Sequence, residues 1–226
     1  MSELWSGGPE YETCAGAFPL TADSVLLADF ARAVPAKSVL DLGCGSGILG
    51  LLLAWHDARI RVTGVELDAA AADCARANAE NNGLAARTSI LTAGIRNCAD
   101  FLPHGSFDLA VSNPPYFASG VSAARAESTL TLPQLLASAA RCIKNGGALC
   151  LVYRPERLPE LFAQLELAGF TPKRLRLVQH TASSAPSMAL VDARRGGKPS
   201  LEVLPTLLLK DENGSDSAEI RRIYHI

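Results

Sequence analysis

The sequence predicts a doubly wound α/β fold, with a mostly parallel sheet and helices on both faces. Three observations predict it. From Ser38 onward, short β-type runs alternate with helical stretches, the pattern of parallel strands joined by crossover helices. The first strand runs into "DLGCGSGILG", a glycine loop that opens a helix. The residues that suggest chemistry fall at the ends of successive strands, where an open α/β sheet binds its ligand.

In chain order, "SVLDLG" reads as a buried strand and "SGILGLLLAWHDA" as the helix after it. "RVTGVELD" is a second strand, followed by "AAAADCARANAENNG", an alanine-rich helix closed by Gly83. "TSILTA" is a third strand and "FDLAVSN" a fourth. "LPQLLASAARCIKNGG" reads as a helix running to Gly146-Gly147, and "ALCLVY" as a fifth strand. "RLPELFAQLELAGF" is an amphipathic helix ending near Gly169. Two further β-type runs, "TPKRLRLVQH" and "SMALVDARR", have only a short connection between them and are expected to pair antiparallel. That makes a seven-stranded sheet with an antiparallel final strand. The tail, Pro199–Ile226, carries a turn at "DENGSD" and a short final helix. With no internal repeat and no low-complexity linker, residues 1–226 read as one domain.

Composition narrows the class. The chain has 226 residues, 48% of them hydrophobic, and no apolar stretch approaches the ~20 residues needed to cross a bilayer. "MSELWSGGPEYE" lacks a basic flank followed by an apolar core, so a cytoplasmic protein is expected. The six cysteines stand singly with no CxxC pair, which suits reduced thiols, and the four dispersed histidines suggest no metal site. Net charge is −2, but between Thr171 and Ser200 lie Lys173, Arg174, Arg176, Arg194, Arg195 and Lys198 against the single acid Asp192. Such a run reads either as a polyanion-facing surface or as a solvated face.

Read from Gly45, the loop satisfies GxGxxG, a dinucleotide fingerprint. Its glycines let the backbone pass close to a ligand, and the next helix presents free N–H groups. Asp41, ahead of Gly43, Gly45 and Gly47, points elsewhere, because an acid there repels a pyrophosphate and welcomes a cationic amino group. S-adenosylmethionine carries such a group beside its sulfonium. Glu66 closes the next strand, where a carboxylate can bind both hydroxyls of a ribose. Cys44 reads as a small spacer within the loop rather than a nucleophile.

The fourth strand breaks into Asn113-Pro114-Pro115-Tyr116. Two prolines remove two backbone donors and fix two φ angles. The Asn113 side-chain carbonyl and the Pro114 backbone carbonyl can then accept the two hydrogens of a planar amino group. Tyr116 can stack on the ring that bears it.

These motifs resemble the class I S-adenosylmethionine-dependent methyltransferases that act on planar amino nitrogens. "FPLTADSVLLADFA" and the block from "LRLVQHTASSAPSMALVDARRGGKPS" to "EIRRIY" look like the bacterial tRNA(Val) adenine-N6-methyltransferase family, although Ala22 separates Thr21 from Asp23. The resemblance runs from about Phe18 to Tyr224. It implies a Rossmann-like class I methyltransferase fold, with a cofactor-covering segment (1–37), a catalytic core (38–198) and a C-terminal extension (199–226). It implies tRNA as substrate and S-adenosylmethionine as cofactor. The cofactor would lie against Thr21, Asp23, Asp41, Gly43, Cys44, Gly45, Gly47, Glu66, Leu67, Gly94, Ile95 and Asn113, and Asn113–Tyr116 would hold the target amine. Such enzymes usually carry an acid for the cofactor's adenine after the third strand; Gly94 stands there, leaving adenine to the backbone or Asn97.

A protein-glutamine N5-methyltransferase acting on release factors shares both motifs, but the helical domain of that family does not fit in the 40 residues before Asp41. A catalytically weak RNA-binding or cofactor-sensing module is the reading from another class. A nicotinamide dehydrogenase leaves Asn-Pro-Pro-Tyr unexplained.

Overall fold

The computed structural model describes residues 2–13, 22–114 and 130–226. Strands β3 (Ser38–Leu42), β4 (Arg61–Glu66), β5 (Thr88–Thr92), β6 (Phe107–Ser112) and β7 (Ile143–Tyr153) form a parallel sheet in the order 5-4-3-6-7. Strand order therefore reverses at β3, which pairs β4 on one side and β6 on the other, and that reversal places a crevice at its carboxyl end. Strands β8 (Phe170–Gln179) and β9 (Pro186–Arg195) form the expected antiparallel pair, with β9 inserted between β7 and β8. The seven-stranded sheet is extended by two short pieces of the tail, β10 (Glu202–Val203) and β11 (Leu207–Leu208), both parallel to β8.

Side-chain alternation along the strands separates two apolar layers. Val39, Leu109, Val111, Ala148, Cys150 and Val152 face helices α1 (Ala22–Ala31), α2 (Ile48–His56) and the C-terminal α7 (Ala218–Tyr224). Leu40, Leu42, Ala110, Leu149, Leu151 and Tyr153 face α4 (Ile95–Phe101), α5 (Leu132–Cys142) and α6 (Leu158–Leu167). Period-two burial on both faces is what a fully covered parallel sheet requires. Helix α3 (Ala69–Asn81) lies behind the glycine loop.

Two expectations need correcting. The fifth helix ends at Cys142 rather than at the glycine pair, and β7 already begins at Ile143. Ile143 is fully buried, so its burial draws the chain into the sheet early. The surplus residues are absorbed where the β6–β7 register jumps from Phe107–Ile143 to Leu109–Ala148. Cys44, Cys98, Cys142 and Cys150 are free thiols, but Cys74 is disulfide-bonded, a contact that tertiary approach rather than local spacing decides. Ahead of α1 the chain also forms a small hairpin, β1 (Ser2–Glu3) with β2 (Glu10–Tyr11), which the sequence reading left without structure. Among the described residues no helix is long and apolar enough to cross a membrane, and no cluster of three His, Cys, Asp or Glu side chains could hold a metal.

Candidate active site

Asp41, one residue from the end of β3, is 1% exposed. Its Oδ2 accepts the Gly50 N–H at 3.0 Å. A side chain at Gly50 would place a Cβ 2.6 Å from Val62 Cγ1, so glycine lets the first turn of α2 pack this close to β4 and reach the carboxylate. Asp41 Oδ1 is buried with no hydrogen-bond partner among the described residues. Burial raises the carboxyl pKa to about 7, with the nearby Glu66 charge adding to the rise and the Gly50 bond opposing it. A buried acceptor without a partner fits a cationic ligand group, which would fill the missing bond and stabilise the ionised form.

The glycine loop is folded back on the next strand. Gly43 and Cys44 donate to the Val65 carbonyl at 2.9 and 3.1 Å. Glu66, at the end of β4, accepts the Gly45 N–H on Oε2 at 2.8 Å and the Asp68 N–H on Oε1 at 2.9 Å. Each carboxylate oxygen keeps a further lone pair, enough for a vicinal diol. Cys44 is 6% exposed and burial pushes its thiol far up, which suits the spacer role and not a nucleophile. Ile95 Cδ1 lies 3.4 Å from where a Cβ on Gly43 would stand. At Gly94, the residue before α4, a Cβ would meet only Leu67 Cδ1, at 3.8 Å. Leu67 is 61% exposed. Leu67, Gly94 and Ile95 thus present an apolar shelf beside Glu66, and Asn97 joins it through its backbone N–H, which donates to the Gly94 carbonyl.

Across β3, Ser112 is fully buried and its hydroxyl donates to the Leu42 carbonyl at 2.8 Å, tying the ends of β6 and β3 together. The next side chain, Asn113, donates from Nδ2 to Ser24 Oγ on α1 at 3.0 Å. That bond uses one of the two Nδ2 hydrogens and does not involve the carbonyl oxygen, which can accept from a ligand. Pro114 is buried. Thr21, Pro115 and Tyr116 lie outside the described residues. Asp23 sits in the first turn of α1, half-buried, and burial raises its carboxyl pKa.

The glycine loop, the two strand-end acids and Asn113-Pro114 gather at the carboxyl ends of β3, β4 and β6, and the chain as a whole is similar to known proteins. The methyltransferase small domain model matches residues 21–168. The chain belongs to that family. It is 34% identical over 185 residues to the tRNA1(Val) (adenine(37)-N6)-methyltransferase of Porphyromonas gingivalis, covering 76% of this chain and 72% of the relative. It is 39% identical over 176 residues to the protein of that name from Salmonella arizonae, covering 74% and 69%. Among solved structures, a predicted O-methyltransferase from Agrobacterium tumefaciens superposes with a TM-score of 0.76 at 22% identity, over 90% of this chain and 95% of that one. The geranyl diphosphate C-methyltransferase of Streptomyces coelicolor, solved with S-adenosyl-L-homocysteine, gives 0.58 at 15% identity over 75% and 78%. These two share the fold. The protein is an S-adenosylmethionine-dependent methyltransferase, and the unpartnered Asp41 oxygen together with the Glu66 lone pairs fits that cofactor.

The methyltransferase's cationic stretch lies elsewhere. Arg194 is level with Ala148, midway along β7, and Lys173 lies in the first half of β8, whereas Arg176, paired with Leu190 and so level with Val152, lies near the height of Asn113 but beyond β7. Most of the six cations are engaged within the protein. Arg174 donates to Asp192 at 2.8 Å and stacks 4.5 Å from the Phe30 ring centroid. Arg176 makes a two-pronged pair with Glu219, both contacts 2.7 Å. Arg194 donates to the Gly146 carbonyl at 3.1 Å and Arg195 to that of Ile143. Lys173 reaches the Lys198 carbonyl and, at 2.8 Å, Ser200 Oγ. Of the six, Lys198 is exposed and its ammonium makes no hydrogen bond among the described residues.

Ser24 and Ser112 escaped the sequence reading. Ser24 adjoins Asp23 inside the segment that carries the family resemblance, and Ser112 immediately precedes Asn113, so adjacency to a motif was the available signal.

Proposed function

We propose that this methyltransferase acts on the exocyclic N6 amine of an adenine in tRNA, in the cytoplasm. The observation that supports the reading is the seat of Asn113 just past the end of β6, where an Nδ2 hydrogen goes to Ser24 Oγ and the carbonyl oxygen takes no part in that bond. The relatives' name, tRNA1(Val) (adenine(37)-N6)-methyltransferase, supports the acceptor class and suggests the base. Neutral carbonyls suffice for an aromatic amine. They hold both N–H bonds, draw the nitrogen lone pair out of conjugation, and fix its line of approach. When bound, S-adenosylmethionine supplies an electrophilic methyl on its sulfonium. Asp41 would hold the cofactor's ammonium, Glu66 its ribose, and Leu67, Gly94 and Ile95 its adenine. Pro114 would supply the second acceptor through its backbone carbonyl, with Pro115 stiffening the turn, and Tyr116 would stack on the target base.

The deciding experiment is mass spectrometry of tRNA nucleosides from cells with and without the gene, paired with methyl transfer to unmodified tRNA in vitro. Loss of N6-methyladenosine from one tRNA and its restoration by the purified enzyme is the expected result. Unchanged tRNA together with a methylated glutamine in a release factor would replace this reading.

A further inference from the structure

We infer that Asn78 is a positioning residue for the cofactor site, locking the rear of the glycine loop and the N-terminal segment into one register. Helix α3 backs directly onto the loop. Gly47 has φ +87°, and a Cβ there would stand 3.0 Å from Ala75 Cβ. One turn along α3, Asn78 is 1% exposed and its carboxamide is fully engaged. Nδ2 donates to the Ser46 carbonyl and to the Glu12 carbonyl, both at 2.9 Å. Oδ1 accepts the Glu12 N–H at 3.1 Å. Asn82, four residues on, repeats the pairing with Glu10, accepting its N–H at 2.9 Å and donating to its carbonyl at 2.7 Å.

Two asparagines at helical spacing therefore imitate the edge of a neighbouring strand for residues 10–12, while Tyr11 between them is buried. Only Asn78 goes further and reaches the loop. Ser46 lies between Gly45, gripped from the front by Glu66, and Gly47, pressed against Ala75. The loop is thus clamped on both sides, by a carboxylate on one N–H and a carboxamide on the adjacent carbonyl. The site needs two donors and one acceptor at a single point, which asparagine supplies and aspartate does not. A residue that fixes loop geometry this way should change cofactor affinity, because the loop backbone, together with the Glu66 carboxylate it holds, forms the wall against which the ligand would lie.

The inference rests on the cofactor lying at the loop. The test uses full-length protein and S-adenosylhomocysteine as probe, with calorimetric Kd and thermal melting on the same samples. Asn78→Ala should weaken binding about tenfold, within the usual range of coupling between linked sites, while kcat at saturating cofactor stays near wild type. Asn82→Ala removes the Glu10 bonds and a bond to the Asn78 backbone carbonyl but leaves the Asn78 side chain on Ser46, so it should lower Tm and leave Kd unchanged. In the wild-type protein the probe should slow hydrogen exchange at the Glu12 amide, a measurement that needs no variant to fold. Unaltered Kd in Asn78→Ala, equal weakening by Asn82→Ala, or Glu12 exchange indifferent to the probe would each overturn the assignment. Wild-type protein that does not bind the probe would overturn the placement of the cofactor as well, which separates the two failures.

Discussion

The carboxyl edge of β3 and β4 and the β8–β9 hairpin are both rich in charge, and they use it in opposite ways. At the first, Asp41 and Glu66 are held by backbone N–H groups yet keep oxygen lone pairs for something the protein does not contain. At the second, Arg174, Arg176, Arg194 and Arg195 are matched to carboxylates, a ring and carbonyls of the chain itself. Among the described residues Asp192 Oδ1 is, like Asp41 Oδ1, buried without a hydrogen-bond partner, so what separates staple from ligand site is the counter-charge: Arg174 meets the Asp192 carboxylate, whereas Asp41 is met only by a backbone N–H.

If that contrast is right, damage to the hairpin should appear as lost stability and damage to the crevice as lost activity. The largest effect should come from Arg174→Ala. It leaves Asp192, 2% exposed, without its cation. Removing one partner of a buried pair typically costs about 3–5 kcal/mol. Denaturant unfolding should show that loss, while activity per folded molecule holds; a drop in tRNA affinity at full stability would move Arg174 to the substrate surface.

Next is Asn113→Ala, for which single-turnover methyl transfer should slow by ~10²–10³-fold, the usual result of losing one well-aimed catalytic hydrogen bond, with only a small fall in Tm from the lost bond to Ser24. Asn113→Asp keeps an acceptor of the same size and should retain more activity than alanine. An alanine variant at wild-type rate would reduce the Asn-Pro turn to a stiff loop.

Glu66→Ala should weaken cofactor binding by about 1.5–3 kcal/mol, as for a lost hydrogen bond to a charged group, and calorimetry measures it directly. Unchanged affinity would remove Glu66 from the ligand shell.

Asp41 supplies a pH test. Its carboxyl ionises near 7 in the folded protein and near 3.8 otherwise. The folded state thus holds the proton more tightly, and this group's contribution to stability is full below about pH 4 and lost as pH rises through 7. Asp41→Asn should accordingly become more stable relative to wild type between pH 4 and pH 8. Wild-type cofactor affinity should decline as pH falls below about 7, where protonation removes the charge that faces the ammonium, and the asparagine variant should lack that dependence. The smallest effect belongs to Lys198→Glu. An exposed cation toward the far edge of the sheet should alter the KM for tRNA by no more than about twofold; a steep, salt-dependent rise would instead make that face an RNA surface.

The strands, the glycine loop, Asp41, Glu66 and Asn113 were legible because each depends on neighbours in sequence: an alternation, a loop spacing, a strand end. Ser24, Ser112 and Asn78 were not, because their partners lie 89, 70 and 66 residues away and no local pattern marks a serine or asparagine that will be buried against a distant carbonyl. The cationic run misled for the same reason. Its composition was visible, but Glu219 and Phe30, which engage Arg176 and Arg174, enter only through the fold. The early start of β7 followed from the burial of Ile143, which outweighed the turn tendency of Gly146-Gly147.

The insertion of β9 between β7 and β8 has a consequence for synthesis. A ribosome delivers β8 before β9, so β8 emerges with no neighbour to join. Until residues 186–195 follow, the edge of β7 from Ala148 to Tyr153 stands open with its backbone groups unpaired. The nascent methyltransferase thus carries a sticky margin from the completion of β7 until β9 arrives, and a stop codon ahead of Pro186 would leave that margin permanent, a template for aggregation.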